Sequence, residues 1–129
     1  MTNNSTVLAN QLIREVNPYI NIYGPVMSRP HLKQFSVFSK KSSTKLGKTL
    51  YSVKIQSDTP KITNTSKLRV YCSCLDFRYR LAYCLDLKGA LLTQPDFILE
   101  HPTTTNPDCI VRGCQHISTA IRHAIQRNI

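Results

Sequence analysis

The chain has no tryptophan and only four glycines and two methionines. Acidic residues are also scarce, seven against seventeen lysines and arginines in 129 residues. No apolar run approaches the roughly 18 residues that cross a bilayer as a helix, so a membrane-spanning protein is not expected. With so few glycines there is no glycine-rich phosphate loop. A metalloprotease helix and a convincing acid–base pair are missing too, and an enzyme is therefore not expected. The opening Met1–Thr6 lacks the basic-then-apolar layout of a secretion signal, which predicts synthesis in a reducing cytoplasm.

What is present begins with charge. The net charge is +10, and it is uneven: Arg29 to Arg69 holds ten lysines and arginines against Asp58 alone. Such an asymmetry suits a polyanion or an acidic protein surface, and suits equally a solvated face that keeps the chain in solution. Lys40, Lys41, Lys45 and Lys48 crowd one polar connection and are the candidate contacts to a partner or to nucleic acid. These basic residues are not interleaved with aromatics along the chain, and no helix is arginine-rich, which weighs against nucleic acid.

Periodicity predicts a small α+β fold. Leu8, Leu12, Ile13 and Val16 fall at helical spacing and predict a helix over residues 5–16, stopped by Asn17-Pro18. Residues 19–31, punctuated by Gly24, Pro25 and Pro30, read as an irregular extended arm. Alternating apolar residues then predict three strands, over 34–39, 49–56 and 67–72. A helix fits 76–87, ended by Lys88-Gly89, and 93–108 reads as loop. The last helix is predicted over 115–127, with Ile117, Ala120, Ile121, Ala124 and Ile125 on one face. On this reading residues 1–31 are a helix and arm, and 32–129 form the main domain with a long insert at 75–113.

Five cysteines punctuate this pattern. Cys72 and Cys74 are too close to pair with each other without strain, and clustered cysteines near a histidine point to metal. Cys72-Ser73-Cys74 closes a predicted strand, and Cys114-Gln115-His116 repeats the spacing at the start of the last helix. Each pair sits where the backbone turns, so both side chains can aim at one point. Two soft or borderline donors from each pair make the four that a tetrahedral zinc ion takes. Cys72, Cys74, Cys114 and His116 are the candidate ligands of one structural zinc, with Gly113 giving the backbone freedom before the second pair. Cys109 could replace His116. Cys84 lies on an apolar helix face and reads as a small buried hydrophobe. His31, His101 and His123 read as surface or structural. Phe77, Tyr79 and Tyr83 fit core packing better than a platform for bases.

The arrangement Cys-x-Cys, variable insert, Cys-x-His on two strands and a helix resembles the SWIM-type zinc finger. The matching residues are Cys72, Cys74, Cys114 and His116, and the resemblance covers about half the chain. The surrounding text, Cys72-Ser73-Cys74-Leu75-Asp76-Phe77 followed by Tyr79-Arg80, is similar to that of small SWIM-like proteins of tailed bacteriophages, with Leu75 where their proline stands. That resemblance implies a non-enzymatic structural protein of a virion (a neck, tail, baseplate or capsid-associated subunit), made in the host cytoplasm and assembled in multiple copies with other virion proteins. SWIM modules in general imply an alternative: a nucleic-acid-binding module using the basic 29–69 region.

Overall fold

The computed structural model describes residues 5–39, 50–92 and 99–129. Its centre is a four-stranded antiparallel sheet of β1 (Ile20–Arg29), β2 (Leu32–Ser39), β3 (Leu50–Ser57) and β4 (Leu68–Cys72), neighbours in that order. Helices α1 (Ala9–Leu12), α2 (Ala82–Leu87) and α3 (Gln115–Arg127) complete it, α2 continuing directly from a π-helical stretch, Phe77–Leu81. This is the small α+β fold with an inserted and a C-terminal helix that the periodicity predicts. No described helix is long and apolar enough to cross a membrane.

The strand alternation explains the core. Phe35 and Val37 of β2, Val53 and Ile55 of β3, and Leu68 and Val70 of β4 are fully buried on one face. Helix α3 covers that face with Ile117, Ala120, Ile121 and Ala124, the period-3.6 stripe read from the sequence. Asn128, in the left-handed conformation, closes the helix.

Two segments depart from expectation. The helix over 5–16 is a single turn, Ala9–Leu12. Before it, Val7 and Leu8 lie extended along β4: Leu8 bridges Lys67, and the Val7 carbonyl accepts the Leu68 amide at 2.9 Å. After it, Ile13 is extended and Val16 is 70% exposed. Backbone pairing to the sheet thus overrides a helical spacing that buries only part of its apolar face. The second departure is the expected irregular arm, which supplies β1. Its interruptions are absorbed locally. Gly24, at φ +118°, and the cis Gly24–Pro25 bond sit in a bulge between Tyr23 and Met27. Proline is tolerated there because β1 is an edge strand, where a missing N–H removes no ladder bond on the open side. Pro30 and His31, the latter at φ 71°, make the tight turn into β2.

The two sheet edges differ. Beyond β4, Val70 exchanges hydrogen bonds with Ala90 and Leu92, and residues 7–8 continue the cover. Among the described residues, the outer edge of β1 has no strand neighbour.

Candidate metal centre

Three element junctions meet below the sheet. Cys72 is the last residue of β4, paired across to Val53. Ser73 prolongs the ladder by one step: its amide donates to the Ser52 carbonyl at 3.1 Å, and its hydroxyl accepts the Ser52 amide at 2.9 Å. This pins the turn, so Cys74 points back toward Cys72. Cys74 immediately precedes the helical run that begins at Leu75, and Cys114 is the N-cap of α3.

The two caps are built alike. The Cys74 sulfur accepts the amide of Phe77 at 3.3 Å, and the Cys114 sulfur accepts that of Ile117 at 3.4 Å. Each sulfur therefore occupies the place of a capping oxygen, three residues before the amide it satisfies. Both helix starts turn their positive ends toward the same point, an environment that favours thiolate over thiol.

His116, in the first turn of α3, completes the group. Its Nδ1 lies 3.7 Å from the Cys72 sulfur and 4.0 Å from the Cys114 sulfur. The four donor atoms of Cys72, Cys74, Cys114 and His116 all lie within 4.8 Å of one another. The three sulfurs are buried and His116 is half-buried. Tyr51, from the inward row of β3, stacks on the imidazole with centroids 4.3 Å apart and planes 29° apart, fixing the ring.

Protonation in this cluster is a matter of sharing. Hydrogen bonds with Cys114 and then Cys72 hold the Cys74 thiol far below its ordinary range, helped by His116 and the Phe77 amide. The same bonds, with Cys114 first, push Cys72 up, and burial pushes Cys114 up. Three sulfurs this close and this buried cannot all be anionic without a cation among them. The donor set is one that can hold a metal ion, which would replace the shared protons.

The chain matches no protein-family model, no curated protein and no solved structure.

The four candidate ligands are thus brought together. Cys109 is not among them: it forms a disulfide with Cys84, which is buried as expected but bonded, and this removes Cys109 as a substitute ligand. Lys40, Lys41, Lys45 and Lys48 lie outside the described residues. Of the three aromatics near the first pair, Phe77 is in the core, Tyr79 is 60% exposed and Tyr83 packs edge-on to His101.

Three further residues support the site through their packing. A β-carbon on Gly113 would stand 2.6 Å from the Leu12 carbonyl, so glycine is there for space and not for flexibility. Asn106, buried, donates to the Arg80 and Ile110 carbonyls at 3.1 Å and accepts the Ile110 amide at 3.0 Å, tying the loop before Cys114 to the inserted helix. Tyr51 had a sequence signal, since the alternation with Val53 and Ile55 turns it inward. Gly113 is legible as a glycine before the second pair but not for the crowding that requires it, and Asn106 carries no signal.

Proposed function

We propose that this chain is a non-enzymatic structural protein of the SWIM zinc-finger type, stapled by one zinc ion, and that it serves as a subunit of a tailed-phage particle. The observation that carries the zinc reading is the convergence of four donor atoms within 4.8 Å at the joint of β4, the inserted helix and α3. Metal–donor bonds of ~2.3 Å to sulfur and ~2.0–2.1 Å to nitrogen imply donor–donor edges of roughly 3.4–3.8 Å in a tetrahedron. The sulfur–nitrogen separations of 3.7 and 4.0 Å are already close to that. Three thiolates and an imidazole select zinc over calcium or magnesium, which prefer oxygen.

Four protein donors leave no position for water or substrate, so the ion's task is structural. β3, β4 and α3 stand where the SWIM pattern has its two strands and helix, and residues 75–113 form the insert. The particle assignment is supported by the text Cys72–Arg80 and its likeness to phage SWIM-like proteins. Its partners are then other virion proteins, bound in many copies.

Metal content of freshly purified protein tests the first half. One zinc per chain, lost together with thermal stability in a Cys72→Ser/Cys74→Ser variant, is the expected result. A folded protein with no bound metal would sink it. Mass spectrometry of purified particles tests the second half: stoichiometric presence is expected, and absence from the particle refutes that assignment while leaving the zinc result standing.

A further inference from the structure

We propose that the sheet face turned away from α3 is a docking surface for single-stranded nucleic acid. This goes beyond the basic stretch as read from the sequence, and it does not depend on the metal. Strand register fixes which side chains occupy the face. With Phe35 and Val37 inward, register puts Gln34, Ser36 and Phe38 on the other face; with Val53 and Ile55 inward, it puts Leu50, Ser52, Lys54 and Gln56 there too, Phe38 and Gln56 being buried within it. Arg69 and Tyr71 of β4 and Asn21 and Tyr23 of β1 complete it. Helix α3 packs on the opposite side, and Phe77 meets this face edge-on at Tyr71, on its β4 margin.

Charge and aromaticity converge here. None of the four strands carries an aspartate or glutamate; the seven acidic residues all lie elsewhere. Tyr23 lies flat on Phe38, with centroids 4.8 Å apart, yet remains 52% exposed, so one side of its ring is offered outward. The Lys54 ammonium sits 5.9 Å above the Tyr71 ring, opposite it in register. Along the chain Lys54 is flanked by Val53 and Ile55, with no aromatic beside it. Across the strands it has one, because pairing interleaves what the sequence separates.

The Tyr23 and Tyr71 stations lie on opposite edge strands, three strand spacings or roughly 14 Å apart. Between them Gln34, Ser36 and Ser52 offer amide and hydroxyl groups. Two rings with the single cation Lys54 between them, and Arg69 beside Tyr71 on β4, suit the faces of unpaired bases and their phosphates. A duplex hides its base faces, and an acidic peptide would have no use for the exposed ring, so single strands fit best.

The test is fluorescence anisotropy of labelled oligo-dT and oligo-U, about 12 nucleotides long, with the full chain over a range of salt. Salt-sensitive binding is expected, weakened about tenfold by Tyr23→Ala and by Lys54→Glu, each checked for fold by circular dichroism. Tyr23→Phe should restore it, and Tyr79→Ala, off the sheet, should leave it unchanged. No binding at about 50 mM salt would overturn the proposal. So would equal competition by duplex or polyglutamate, or binding lost only on replacing Lys40, Lys41, Lys45 and Lys48 with alanine.

Discussion

The carbonyl oxygen of Leu12 lies 2.6 Å from the point where a β-carbon on Gly113 would stand. Leu12 ends α1 and Gly113 immediately precedes Cys114, so the first helical turn is seated on the very backbone that aims the second pair of candidate ligands. Ser118 fastens the same contact from α3, its hydroxyl accepting the Arg14 amide at 2.7 Å.

Gly113→Ala must therefore displace either α1 or Cys114. Overpacking of this kind costs about 1–3 kcal/mol. The expected outcome is a lower melting temperature together with faster metal loss to a chelator, and thermal unfolding with a chelator challenge reads both. Wild-type behaviour in both assays would mean that the contact yields freely.

For the centre itself, His116→Ala and Cys114→Ser should abolish stoichiometric metal. Tyr51→Leu should retain one ion per chain but loosen it by about 10–100-fold, the usual effect of losing a group that orients a ligand. Binding requires deprotonated sulfur and neutral imidazole, so protons compete with the metal and affinity falls as pH falls. Titration with a metal-sensitive dye between neutral and acid pH should show release on acidification. Retention down to strongly acid pH would point away from these donors.

Cys84 and Cys109, 25 residues apart, tie the inserted helix to the loop before the second ligand pair. Opening that loop in the unfolded chain by Cys84→Ser/Cys109→Ser costs about 3 kcal/mol on chain entropy. Metal content should not change, since neither sulfur belongs to the cluster. If the double variant lost its metal, the assignment of Cys109 to the disulfide would be wrong.

Asn106→Ala leaves the Arg80 and Ile110 carbonyls and the Ile110 amide without their side-chain partner. About 1–3 kcal/mol of stability should go with it. Asn106→Asp, which sets a buried carboxylate oxygen against the Arg80 and Ile110 carbonyls, should cost at least as much as alanine, as chemical denaturation would show.

Legibility followed the kind of signal. The rows Phe35/Val37, Tyr51/Val53/Ile55 and Leu68/Val70/Cys72 gave the three later strands to within a residue or two, because a sheet with one buried face writes its period directly into the chain. Helix α3 was readable to its ends for the same reason. The N-terminal helix was misread because Leu8 and Val16 have the spacing but not the burial: the backbone of Leu8 is committed to Lys67. β1 was hidden by Gly24 and Pro25, which break a central strand but only bend an edge one. The Cys84–Cys109 pair joins residues that no local pattern connects, and the crowding at Gly113 exists only once α1 has packed.

The unequal edges of the sheet have a consequence for assembly. Among the described residues, one flank is sealed by residues 7–8 and 90–92, and the β1 flank has no strand beside it. Any joining of sheets from two copies along this edge uses the single open flank of each. Such a union is symmetric and self-limiting: it stops at a pair, and cannot propagate into a fibre.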